Sequence, residues 1–326
     1  MKRYRIPHTD LEVSRIGFGC MGLGGDWDAP ALTRSAVLQA ADLVETALAQ
    51  GITLFDHADI YTRGKAEAAF GEVLKEQPGL RDRIVLQSKC GIRFAGEPTA
   101  DDPARYDFSY EHITRSVEGI LRRLQTDRLD LLLLHRPDPL VEPEEVARAF
   151  DELHGSGKVR YFGVSNHTGP QIKLLRKAVT QPLVVNQLEL NLLHAGLIEV
   201  GILANQTDQP YTAAAGILDY CRLNDILVQA WSPVARGKLA DPPKRVLGST
   251  PAQRAAEVVA RLADEKGTTK DAIVLAWLLR HPAPIQPIIG TTTPARIASS
   301  ARADEVELSR EEWYALFTAA RGANVP

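Results

Sequence analysis

Cysteine is scarce in this chain: Cys20, Cys90 and Cys221 are all that 326 residues contain. The set is odd in number, scattered and free of any CxxC, so neither a disulfide framework nor a thiolate zinc site organises the fold. Reduced thiols of this kind fit a cytoplasmic protein. Long apolar runs are also missing. The densest, LDLLLL at 129–134, is too short to cross a bilayer and runs straight into HRPD. The opening MKRYRIPHTD lacks the apolar core of a signal peptide. No membrane partner is expected. Charge of one sign is missing too: 38 basic residues face 41 acidic ones, for a net charge of −3. No basic run breaks that balance, so no nucleic-acid partner is expected. What is present is ordinary for a globular chain with a large core, 44% hydrophobic and 24% charged.

Short β-branched and Leu-rich runs alternate with longer helical patterns. The runs SRIGFG, ITLF, RIVLQS, RLDLLLL, VRYFGVS, PLVVNQ, DILVQAW and IQPIIG read as strands. Helices are predicted over 34–50, 65–76, 110–124, 143–156, 169–178, 213–223, 251–265, 269–280, 294–301 and 309–320. Strands apolar on both faces need helices on both sides, as in a parallel sheet. Eight such units predict an α/β fold, a (β/α)₈ TIM barrel filling one domain over 1–326. RYRIP and LEVS, around the turn HTD, predict an N-terminal β-hairpin plugging the bottom of the barrel. The helix over 309–320 is one more than the barrel needs. The longest breaks, 93–109 and 191–211, follow strand ends, where barrel enzymes build substrate loops.

Gly17, Gly19 and Gly22 spell GxGxxG. A dinucleotide fingerprint requires such glycines to open a helix directly. Here they run into LGGDWDAP, which delays the helix, so they read as a glycine-rich first barrel loop. Trp27 on that loop is either a wall of a substrate pocket or plain packing.

Three strand runs end on polar residues: ITLF on Asp56, IVLQS on Lys89 and LDLLLL on His135. Tyr61 follows in the turn FDHADIY. Charges left in apolar surroundings are costly, so these endings predict one shared polar site where the strands stop. A tyrosine with an ordinary pKa near 10 is a weak acid unless its anion is stabilised. An adjacent lysine favours the phenolate, and Asp56 supplies that lysine with a partner. A histidine nearby can hydrogen-bond a carbonyl oxygen. Together these four donate a proton and polarise C=O, and the hydride must come from a cofactor. Later strand ends suit that cofactor. Ser165, Asn166 and Gln187 offer groups for a carboxamide, and Trp231 a ring for stacking. Gly290, Thr291 and Thr292 precede a helix, whose free N–H groups make an anion site, with Arg296 one turn on.

FDHADIY, LQSKCG, LLLLHRPD, GVSN, VVNQLELN, WSPVARGKL and IIGTTTPARI, in this order, resemble the aldo-keto reductase family from about Ile16 to Arg302. Within it, the chain most resembles the bacterial YdhF-type oxidoreductases. The resemblance implies a catalytic tetrad of Asp56, Tyr61, Lys89 and His135. It implies nicotinamide contacts at Ser165, Asn166, Gln187 and Trp231. It further implies phosphate and adenosine contacts at Ser232, Val234, Gly237, Leu239, Gly290, Thr291, Thr292, Arg296, Ser299 and Ser300. NADPH reduction of a small aldehyde or ketone follows. Many relatives carry a Lys or Arg just after the last strand, where this chain has threonines, so NADH or dual use stays open. The chain also stops soon after its last helix, which predicts a more open pocket.

Three other readings compete. A redox-sensing module would hold the cofactor tightly and turn over slowly. A metal hydrolase would pair His57 with Asp59, or His135 with Asp138, but no HxH occurs and no metal site is expected. Asp59 otherwise reads as a pocket-rim residue. A Ser165 nucleophile lacks the GxSxG elbow. Oligomeric state is left open.

Overall fold

The computed structural model describes residues 1–203, 216–240 and 250–326. Eight parallel strands close into a barrel. In chain order they are β1 (Gly17–Gly19), β2 (Leu54–Asp56), β3 (Val85–Cys90), β4 (Leu129–Leu134), β5 (Val159–Ser165), β6 (Leu183–Glu189), β7 (Leu227–Trp231) and β8 (Ile285–Ile289). Each strand pairs with the next, and β8 closes on β1 through Ile288–Gly17 and Ile289–Phe18.

The helices match their sequence signals closely. Lys65–Glu76, Tyr110–Leu124, Pro251–Glu265 and Pro294–Ala301 have the expected bounds. The last, Arg310–Arg321, starts from a capping box between Ser309 and Glu312, two backbone donors satisfied reciprocally. Of the helix expected over 213–223, Ile217–Leu223 is observed, and 213–215 lie outside the described residues. A short helix, Gly196–Ile202, and a two-stranded pair, Ile92–Arg93 with Arg105–Tyr106, occupy stretches expected to be loop.

Arg3–Arg5 and Glu12–Ser14 form the antiparallel hairpin. Its Ile6, Leu11 and Val13 pack with Leu54, Val85, Leu131, Leu133, Val185, Leu227 and Ile288 in one buried cluster. The hairpin therefore plugs the barrel end where the strands begin.

That cluster also sets the phase of the site. Side chains two apart on a strand share a face. Leu54 leads to Asp56, and Val85 to Gln87 and Lys89. Leu131 and Leu133 lead to His135, Val185 to Gln187, and Leu227 to Gln229 and Trp231. The inward phase is apolar near the hairpin and turns polar towards the C-terminal ends. Buried Gln229 is the junction. It accepts from Gln87 (2.8 Å) and Gln187 (3.0 Å) and donates to Gln87 (3.0 Å) and Gln286 (3.0 Å). Gln286 passes the network to the Ser14 carbonyl (2.7 Å). Buried amides are tolerable because each finds partners.

Candidate active site

Asp56 stands at the end of β2, in register with Gln87 on β3, and Lys89 lies one inward step beyond. The Lys89 side chain is fully buried. Its ammonium donates to Asp56 Oδ2 (2.9 Å), the His57 carbonyl (2.8 Å) and Tyr61 Oη (3.0 Å). Asp56 Oδ1 accepts from Gln87 (2.5 Å) and Gln187 (3.1 Å). The carboxylate is thus held from below by the glutamine network and spends its charge on Lys89. Burial alone would pull the Lys89 ammonium down, but Asp56 and Tyr61 outweigh it and its pKa is raised.

The Tyr61 phenol feels Lys89 as expected, but burial opposes it. Burial raises its pKa, and the lowering effect of Lys89 only partly offsets this. Lys89 therefore favours the phenolate without producing it, and the proton rests on Tyr61. His135 follows β4 and continues its ladder, its N–H donating to the Cys90 carbonyl (2.9 Å). Its ring meets Tyr61 edge to face, centroids 6.0 Å apart. Desolvation, then Lys89 and Arg136, push the His135 pKa well below its ordinary value. A neutral imidazole results.

Asp56, Tyr61 and His135 open into a cavity of about 750 Å³. Ser165, Asn166, Gln187, Trp231, Ser232, Val234 and Gly237 line it, as do Gly290, Thr291, Thr292, Arg296, Ser300 and Trp27. Asn166 takes a left-handed conformation (φ 62°), which a short polar side chain tolerates. Its amide donates to Ser165 Oγ (2.8 Å), and its carbonyl accepts from Trp231 Nε1 (3.1 Å). This fixes the indole plane. Arg296 is anchored to Asp271 by two bonds, 3.0 and 3.1 Å.

Three expected site residues lie elsewhere. Leu239 is fully buried in the core, and neither it nor Ser299 forms part of the cavity wall. Asp59 is no rim residue: its neighbours are Glu67, Arg123 and Ser116, and burial raises its pKa to about 8. The metal pairings also dissolve into local structure. The His57 ring packs on Phe70 with its pKa pushed down to about 3 by burial. Asp138 accepts from the Phe108 and Leu140 backbones.

Residues beyond the expected set also shape the site. Lys65, 8% exposed, points its ammonium at the carbonyls of Asp26 (2.6 Å), Trp27 (3.4 Å) and Ala29 (2.5 Å). It ties the Trp27 loop to the helix that follows Tyr61. Gly24 permits this approach, because a Cβ there would stand 1.9 Å from Thr62 Oγ1. Gly19, Met21, Ile60, Ile92 and Arg136 also line the cavity. The glutamines were visible as amides inside apolar strands. Lys65 carried no signal, since its partners are backbone carbonyls far along the chain.

The model of the aldo/keto reductase family matches residues 15–320. A 6-dehydroglucose reductase of Agrobacterium fabrum is 41% identical over 98% of this chain and 99% of its own length. The oxidoreductase YdhF of Escherichia coli is 36% identical, with all of both chains covered. Among solved structures, the glycerol dehydrogenase AKR11B4 from Gluconobacter oxydans superposes with a TM-score of 0.81. It is 25% identical over 99% of this chain and 97% of its own.

Proposed function

This chain belongs to the aldo/keto reductase family and is an NAD(P)H-dependent oxidoreductase; on that premise we propose that it reduces an aldehyde or ketone with NADPH, taking the proton from Tyr61. The observation that carries this reading is the Lys89 ammonium, shared between Asp56 and Tyr61 Oη at the cavity floor. A phenol with a raised pKa keeps its proton at neutral pH. A cation 3.0 Å away stabilises the tyrosinate left when that proton goes to the carbonyl oxygen. Neutral His135 beside it offers an N–H to the same oxygen, stabilising the charge that develops there. The site holds all three groups in place before substrate arrives.

The rest of the cavity fits a nicotinamide dinucleotide. The helix Pro294–Ala301 starts without a side-chain cap, and Gly290, Thr291 and Thr292 bring its start to the cavity wall. Free N–H groups there suit a phosphate, and Arg296, fixed by Asp271, supports the choice of NADPH. Trp231, held by Asn166, suits the nicotinamide ring, with Ser165 and Gln187 near its carboxamide. The bound cofactor supplies the hydride; the residues named here hold it and manage the proton. The chain functions as one barrel domain in the cytoplasm under this reading.

The test uses NADPH carrying deuterium at the transferable position, with a panel of aldehydes and ketones. The label is expected on the carbinol carbon of the product alcohol. No turnover of any carbonyl with either NADPH or NADH contradicts the reading. Arg296→Leu is expected to weaken NADPH more than NADH.

A further inference from the structure

Charge in the cavity is unevenly spent. Asp56 is neutralised by Lys89, and Arg296 is paired with Asp271. Arg136, next to His135, is different. Its half-buried guanidinium forms no hydrogen bond or ion pair with any of the described residues. It lies over the face of Trp231, 5.7 Å from the ring centroid. It lines the catalytic cavity and also a neighbouring cleft of about 710 Å³ that shares Asn166 and Trp231 with it. The guanidinium is close enough to His135 to lower the pKa of its imidazole.

A partly desolvated arginine normally finds a carboxylate, because its planar fork matches two acceptor oxygens. Among the described residues this one has no such partner, and it stands beside His135 on the cavity wall. We propose that Arg136 selects the substrate: the enzyme prefers carbonyl compounds that also carry a carboxylate, which Arg136 binds while the carbonyl oxygen meets Tyr61 and His135. This rests on the reductase reading above and names its substrate class. A carboxylate there gains two charge-assisted bonds that a neutral analogue cannot make. Among the described residues Arg136 has no hydrogen-bond or ion-pair partner to surrender, so only water is displaced from its fork.

The experiment compares para-carboxybenzaldehyde with its methyl ester at saturating NADPH, in the wild type, Arg136→Met and Arg136→Lys. The expected result is a wild-type kcat/KM about tenfold or more higher for the acid. That preference shrinks at high salt, largely disappears in R136M and is partly retained in R136K. A wild-type ratio at or below one, or an equal ratio in R136M, overturns the proposal. Terephthalate binding to the NADP-loaded protein, read by tryptophan fluorescence, needs no turnover. It is expected to weaken about tenfold in R136M, and equal binding overturns the anion site. If terephthalate binding responds to R136M while no carbonyl of the wider panel is reduced with NADPH or NADH, the anion site stands and the reductase reading fails.

Discussion

Lys89 and Tyr61 face each other across 3.0 Å, ammonium to phenol, with the Lys89 charge already balanced by Asp56. Burial raises the phenol's pKa while the lysine pulls it back. The rate of reduction is therefore expected to stay level through neutral pH and to fall only above the ordinary phenol range near 10. Lys89→Met removes the opposing charge. Its plateau is expected to drop about 10²–10⁴-fold, and its alkaline limb to move to higher pH. Stopped-flow reduction across pH checks both. An unmoved limb with a near-normal plateau contradicts the pairing.

His135 is held neutral by desolvation, Lys89 and Arg136. A histidine whose pKa is depressed takes up no proton near 6.5, so the pH–rate profile is expected to show no step there from this residue. His135→Asn is expected to lower kcat about 10²-fold without introducing a step. A step near pH 6.5 that vanishes in H135N contradicts a neutral imidazole.

Lys65 holds three carbonyls of the Trp27 loop. Lys65→Met keeps the apolar stem and deletes the ammonium. It is expected to raise KM for the carbonyl about tenfold while kcat moves less, because the cavity wall is misplaced and the tetrad is not. Hydrogen exchange at residues 26–29 is expected to quicken. Unchanged exchange and unchanged KM together contradict a clamp.

Asp59 is a liability that grows with pH. Its carboxyl has an ordinary pKa of 3.8 and is raised to about 8 in the fold. Between those values the folded chain keeps a proton that the unfolded chain has released, so stability falls as pH rises through that window. Asp59→Asn removes the dependence. The gain in Tm from the substitution is expected to be larger at about pH 8 than at about pH 5. A gain that does not grow with pH contradicts a half-buried, protonated Asp59.

Much of this arrangement was legible in the residues because it follows a period of two. Asp56, Lys89 and His135 end apolar strands, and the same inward phase that buries Leu54, Val85 and Leu133 delivers all three to one end of the barrel. Helix bounds were readable where caps are local, as at Ser309 and Thr250. Contacts that depend on where a loop returns were not. Lys65 gave no sign that it would meet Asp26 and Ala29, and Asp59 shared a motif with Tyr61 yet turned towards Arg123. The raised phenol pKa was hidden for another reason. Sequence named the opposing cation, but the extent of burial, which outweighs it, is a property of the packed barrel.

The most direct measurement is single-turnover reduction by Tyr61→Phe, with NADPH affinity measured on the same preparation. The phenyl ring keeps the packing against His135 and loses only the hydroxyl that Lys89 holds. NADPH is expected to bind as in the wild type, while the chemical step slows about 10²–10⁴-fold. Near wild-type reduction by a variant that binds NADPH normally would contradict Tyr61 as the proton donor.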